Sequence, residues 1–264
     1  MADKKKFIAQ ITSQIKLADG IYSMWLKCPK NANISIASPG QFISMYCHDG
    51  SRMLPRPISI CEINASDNIL RVVYRIVGKG TEEYSKLDAS DTISIIAPLG
   101  NGFAVDADTC KKALLIGGGI GIPPMLGLAE KLYSSGVSAE AVLGYRDGNL
   151  FLKDEFMPYA KVYVSTEDGS VGVKGNVVDV VKQYNIQADI IYACGPLPML
   201  RGVKELAKER GIKAQISLEE KMACGIGACL GCVCISKEKD SHSNVNNKRI
   251  CKDGPVFDSE EIVF

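Results

Sequence analysis

The sequence predicts a multi-domain chain in three parts: an antiparallel β-barrel over residues 1–102, an α/β domain with a parallel sheet over 103–215, and a small cysteine-rich domain over 216–264. Three observations predict it. Short apolar segments separated by turn residues fill the first part. Apolar strands alternate with helical patterns in the second. Four of the ten cysteines then fall between positions 224 and 234, in a chain too large to need a disulfide framework.

Composition bounds the rest. Of the 264 residues, 46% are hydrophobic, so the chain is neither disordered nor fibrous. A formal net charge of +1, without a long single-sign run, gives no footprint for nucleic acid and no polybasic membrane patch. The basic start at Lys4-Lys5-Lys6 is not followed by an apolar signal core. No stretch approaches the roughly 20 apolar residues needed to span a bilayer. A soluble, cytoplasmic protein is expected.

In the first part, strands are expected at Ile8–Ile15, Ile21–Lys27, Gln41–Cys47, Arg56–Glu62, Ile69–Val77 and Thr92–Ala97. Turns are marked by Gly40, Asp49-Gly50, Asp67-Asn68 and Leu99-Gly100-Asn101-Gly102. Arg56-Pro57-Ile58-Ser59 starts a strand. Arg56 offers a planar cationic fork suited to a pyrophosphate, and Ser59 places a hydroxyl or N–H at a flavin edge. Val73-Tyr74-Arg75 lies in the next strand. Gly78-Lys79-Gly80-Thr81 then turns into an expected helix, Glu82–Leu87, whose start suits an anion. Each motif alone is commonplace. Together, ahead of an α/β domain, they point to FAD.

The second part opens with an apolar strand, Ala113–Ile116, the loop Gly117-Gly118-Gly119-Ile120-Gly121, and a helix from Pro123 to Ser134. Such a loop brings backbone amides to a pyrophosphate, and the helix start favours its charge. Proline suits the first helical turn. Position 122 is Ile where the Rossmann pattern has its third glycine. Further strands are expected at Ala139–Tyr145, Lys161–Ser165, Ile190–Ala193 and Ala214–Ser217, with helices at Val177–Tyr184 and Pro198–Arg210. Cys194-Gly195-Pro196 follows a strand, where a doubly wound sheet opens onto its ligand. Cys194 is thus a candidate beside a nicotinamide; the alternative is a buried apolar cysteine. Arg146, after the second strand, is placed to meet a 2′-phosphate, so the residues leave NAD and NADP open.

The third part reads Met222-Ala223-Cys224-Gly225-Ile226-Gly227-Ala228-Cys229-Leu230-Gly231-Cys232-Val233-Cys234, with Cys251 later. The spacing C-x4-C-x2-C followed by a distant fourth cysteine matches plant-type [2Fe–2S] proteins. Cys224, Cys229, Cys232 and Cys251 are the candidate ligands. Cys234 competes with Cys232, since residues two apart on an extended segment share a side. A structural zinc site is the alternative, although zinc usually takes two paired knuckles. Ser236–Lys248 reads as a polar surface loop.

In this order the motifs resemble the ferredoxin–NADP reductase superfamily, whose flavin signature Arg-x-Tyr-Ser/Thr stands here as Arg56-Pro57-Ile58-Ser59, with Ile58 in place of the aromatic. Met-x-Cys-Gly-x-Gly-x-Cys-x-x-Cys and the ending Cys251 to Phe257 narrow the resemblance to the electron-transfer subunits of class 1B dihydroorotate dehydrogenase. It covers essentially the whole chain. The resemblance implies FAD contacts at Arg56, Pro57, Ile58, Ser59, Val73, Tyr74, Arg75, Gly80 and Thr81. It implies NAD contacts at Gly117, Gly118, Gly119, Gly121, Cys194, Gly195 and Pro196, and cluster ligands at Cys224, Cys229, Cys232 and Cys251. It further implies an FMN-containing catalytic subunit that oxidises dihydroorotate in pyrimidine biosynthesis, in a heterotetramer of two copies of each chain. No general base for dihydroorotate is visible, and His48 and His242 read as surface or loop residues. The alternatives are a ferredoxin, sulfide or hydrogenase-type reductase subunit on the same scaffold, and a zinc-stabilised binding module.

Overall fold

The structure, a computed structural model, describes residues 5–239 and 244–264; His242 lies outside them. Six strands open the chain: β1 (Lys5–Ala18), β2 (Ile21–Lys27), β3 (Phe42–Met45), β4 (Arg56–Asn64), β5 (Ile69–Arg75) and β6 (Thr92–Leu99). They close into an antiparallel barrel in the order β1-β2-β5-β4-β3-β6. Strand alternation decides what fills it: Ile43, Met45, Ile60, Leu70 and Val72 turn inward with Tyr74 and Tyr84. Closure leaves no free edge for pairing with other chains. A short helix, α1 (Lys79–Tyr84), starts three residues before the expected Glu82. The Thr81 hydroxyl folds back and accepts the N–H groups of Val77 and Gly78 at 3.0 and 3.3 Å, which caps the turn early.

The second sheet contains β7 (Lys112–Gly118), β8 (Ser138–Tyr145), β9 (Lys161–Thr166), β10 (Val173–Lys174), β11 (Ile190–Cys194) and β12 (Lys213–Ser217), all parallel. Helices α2 (Ile122–Ser134), α3 (Lys153–Phe156), α4 (Val177–Gln183) and α5 (Leu197–Arg210) connect them. The run Ala113-Leu114-Leu115-Ile116 is continuously apolar because both its faces are buried. Ala113 and Leu115 pack into one core with α2, and Leu114 and Ile116 into another with α4 and α5.

The tail adds β13 (Val233–Ser236), β14 (Asn247–Arg249), β15 (Val256–Asp258) and β16 (Ile262–Val263). β14, β13 and β16 form a three-stranded sheet, while β15 joins the edge of the large sheet, antiparallel to β12. The parallel sheet read from the sequence is therefore mixed at this edge, and the ends of the expected loop Ser236–Lys248 are strands. A segment this short lacks a core of its own. Its Cys232, Ile250, Cys251 and Phe257 share one with Phe42 and Leu99 of the barrel and Ile216 and Leu218 of the sheet. Asn101 pins it further, donating from Nδ2 to the Asp253 carbonyl at 2.9 Å. Among the described residues no helix is long and apolar enough to cross a membrane.

Arg71 ties the barrel to the second sheet. It lies over the Trp25 ring at 4.5 Å, donates to Ser23 Oγ at 2.8 Å, and pairs with Glu62 of β4 and Glu155 of α3. Arg71→Leu leaves both carboxylates without their cation. They stay 30% and 43% exposed, so water softens the loss. The expected cost is about 2 kcal/mol, below that of a fully buried pair; urea denaturation measures it.

Candidate functional site

The strand order β9-β8-β7-β11-β12 reverses direction between β7 and β11, the place where a doubly wound sheet takes its ligand. The glycine loop leaves β7 there and enters α2. Its approach to the next strand is very close: a Cβ on Gly121 would lie 2.4 Å from the Cys194 carbonyl carbon and oxygen. Only glycine fits. A cavity of about 920 Å³ opens above, walled by Arg75, Gly118, Gly119, Gly121, Gly195 and Pro196 among others. Gly117 and Cys194 do not reach this wall. Alternation along β11 turns Tyr192 and Cys194 into the core beneath α2. There burial pushes the Cys194 thiol far up. The side chain placed beside a nicotinamide by the sequence is thus a core thiol.

The sequence also missed polar groups on this wall. Glu219 follows β12 and opens to the cavity, along with Asn176 and Glu167, and beside them stands Arg146, which the sequence did single out. The surrounding protein raises the Glu219 carboxyl, while Arg75 pulls it back. A carboxylate closely after a strand end was the available signal.

On the barrel, β3 and β4 pair with Phe42 opposite Ser59, Ser44 opposite Pro57, and Met45 opposite Arg56. Ile58 packs toward the barrel core, so Pro57 and Ser59 occupy the outer face. The Arg56 guanidinium lies across Gly80 and donates to the Leu54 carbonyl at 2.5 Å. Val73 is buried against α2 residues, and Arg75 reaches the cavity. The Tyr74 ring is buried in the barrel and its hydroxyl donates to Gln14 Oε1 at 2.9 Å, so the part of this residue open to a cofactor is its backbone. Thr81 is likewise buried and spends its hydroxyl on the turn.

The cysteine loop packs against the same outer face. Gly225 has φ +68°, and a Cβ there would meet Ser44 Oγ at 2.7 Å. Cys224 lies beside Cys229, and Cys251 beside Cys232 with Cys224 also near it. The register of β13 and β14 makes the second pair: Ile250 donates to the Cys232 carbonyl at 2.8 Å, bringing Cys251 alongside. Cys234 points elsewhere, its thiol on the Lys248 carbonyl at 3.5 Å. Burial pushes Cys234 up to about 11. Burial also works to raise Cys224, but the N–H groups of Ile226 and Ala228, at 3.5 and 3.3 Å from its sulfur, help bring it down to about 6.

These residues fit a two-iron cluster. Four gathered thiols suit two irons with two thiolates each, and inward N–H groups suit anionic sulfur. The buried Ser44 hydroxyl, without a partner beside the loop, is the kind of orphan a bound group satisfies.

Residues 219–263 match the iron-sulfur cluster binding domain of dihydroorotate dehydrogenase B. The dihydroorotate dehydrogenase B (NAD(+)) electron transfer subunit of Bacillus mycoides is 40% identical over 268 residues, 100% of both chains. That of Listeria welshimeri is 40% identical over 255 residues, 96% of this chain and 97% of its own. This chain belongs to the dihydroorotate dehydrogenase B electron transfer subunit family. Solved structures agree. A chain from the NADH-dependent reduced ferredoxin-NADP oxidoreductase structure superposes with TM-score 0.85 at 30% identity, covering 97% of this chain and 89% of that one. A ferredoxin NADP+ reductase from Neisseria gonorrhoeae shares the fold at 14% identity and TM-score 0.66, over 82% of this chain and 94% of that one. For a dihydroorotate dehydrogenase B subunit, a zinc-stabilised binding module is no longer a competing reading.

Proposed function

We propose that this chain is the electron-transfer subunit of an NAD-dependent dihydroorotate dehydrogenase, carrying electrons from an FMN-containing catalytic subunit to NAD+ in pyrimidine biosynthesis. The observation that carries it is the gathering of four thiols, three on a loop docked against the barrel's outer face and the fourth, Cys251, brought beside Cys232 by the β13–β14 pairing. Full-length relatives of that name support it over a ferredoxin, sulfide or hydrogenase-type subunit.

When bound, FAD exchanges a hydride for single electrons, and the [2Fe–2S] cluster carries electrons one at a time. The chain's residues hold and orient. Arg56 supplies a cation for the FAD pyrophosphate, and Ser59 a polar group at the ring edge. Pro57, Ile58, Gly80, Thr81 and the Val73-Tyr74-Arg75 backbone complete that surface. The Gly117 to Gly121 loop and Gly195-Pro196 receive the NAD pyrophosphate on backbone amides, backed by the start of α2. Cys224, Cys229, Cys232 and Cys251 ligate the cluster. We place the protein in the reducing cytoplasm, where cysteine thiols stay available as cluster ligands.

Cys229 is exposed between exposed Ile226 and Leu230. An apolar rim around an accessible ligand suits a partner face, so the catalytic subunit docks here, in a heterotetramer of two copies of each chain. The isolated, loaded chain is expected to oxidise NADH with artificial acceptors and to form no orotate from dihydroorotate. Orotate formation by the chain alone contradicts the subunit assignment; activity appearing only with an FMN partner supports it.

A further inference from the structure

Ser44 sits in β3 between Ile43 and Met45, whose side chains fill the barrel. Alternation turns Ser44 outward, beside Pro57 of β4. Outward here is not toward water, since the residue is 1% exposed. Its hydroxyl is buried and finds no hydrogen-bond partner among the described residues. Folds rarely leave such a group unpaired, because desolvating it without a partner is costly.

What lies against it is the cysteine loop. A Cβ on Gly225, the residue after Cys224, would come within 2.7 Å of Ser44 Oγ. The loop's own donors, the N–H groups of Ile226 and Ala228, already aim at the Cys224 sulfur. The barrel thus adds a side-chain hydroxyl to a place where donors gather around sulfur.

We propose that Ser44 donates a hydrogen bond from the barrel to sulfur of the cluster held at Cys224 and thereby raises its reduction potential. The inference rests on the proposed cluster assignment. A donor to sulfur stabilises the reduced cluster, whose charge is more negative, over the oxidised one. Ser44 thus couples the barrel strand behind Pro57 and Ser59 to the electronics of a metal group carried by another part of the chain.

The test compares the full chain, purified with its catalytic subunit, as wild type, Ser44→Ala and Ser44→Thr. Iron, acid-labile sulfide and FAD are assayed first. Cluster and flavin potentials are then titrated separately, by paramagnetic resonance and by visible absorption. Ser44→Ala is expected to lower the reduced-to-oxidised cluster ratio at fixed potential by about tenfold, a shift of roughly 59 mV for one electron. Ser44→Thr, which keeps the hydroxyl, stays near wild type. Loss of the cluster in Ala with retention and normal potential in Thr also supports the hydroxyl's role. An unchanged cluster potential in Ala, a shift confined to the flavin, or equal effects in Ala and Thr overturns the proposal. Wild-type protein without iron and sulfide instead overturns the cluster assignment beneath it.

Discussion

Cys251→Ala is expected to strip the chain of its iron and acid-labile sulfide, whereas Cys234→Ala leaves both in place. Cys251 is 1% exposed and lies against Cys232, with Cys224 close enough to influence it. Burial and that contact push its thiol up to about 12, so without iron it stays protonated. Only bound metal draws the thiolate out. With the proposed ligand set, its removal would leave three cysteines where a [2Fe–2S] cluster takes four. Electron flow from the catalytic subunit to NAD+ should fall by about a hundredfold or more. FAD and the NADH reaction with artificial acceptors should persist, because the barrel and glycine loop are untouched. Cys234 is the control: it is a neighbour in sequence, but its thiol is engaged by the Lys248 carbonyl. Iron and sulfide assays on the two variants read the result directly, and the same comparison with Cys232→Ala separates the two candidates for third ligand.

Gly121→Ala is expected to cut NADH reduction of the flavin by about a hundredfold while FAD stays bound. The added methyl would sit 2.4 Å from the Cys194 carbonyl and 2.6 Å from the Gly195 nitrogen. Both neighbours are backbone, so neither a rotamer change nor side-chain flexibility relieves the clash. The loop or the β11 turn must shift by about an ångström, and displacement of that size at a positioning element costs about 10² in rate. The barrel and its Arg56 side chain lie outside the strained contact. Rapid-mixing absorbance at the flavin band, with FAD content as the control, measures the effect. A near-normal rate would mean that this loop does not position the nicotinamide cofactor.

How much of this was legible in the sequence depends on the range of the interaction. The barrel strands and the β7-loop-α2 unit were readable because alternation, apolar runs and glycine clusters are local signals. The cysteine spacing was readable for the same reason. β15 was not: Val256-Phe257-Asp258 is too short to announce a strand, and its pairing to β12 depends on the tail folding over the sheet. Side-chain direction was also hidden. Tyr74 and Cys194 lie in correctly placed strands, yet their rings and thiols face the core, a parity that appears only once the register is fixed. Ser44 needed the tertiary structure outright, since it gains its meaning from the cysteine loop brought up against it, whereas Glu219 left only the weak signal of a carboxylate just after a strand.

The central claim is that four thiolates hold two irons beside a flavin site. Its most direct test is chemical and spectroscopic analysis of the complex, purified without oxygen and then reduced with NADH. Two irons and two acid-labile sulfides are expected for each copy of this chain, with a paramagnetic signal from the reduced pair that appears on NADH addition. Protein that carries FAD but yields zinc, or neither iron nor sulfide, would contradict it.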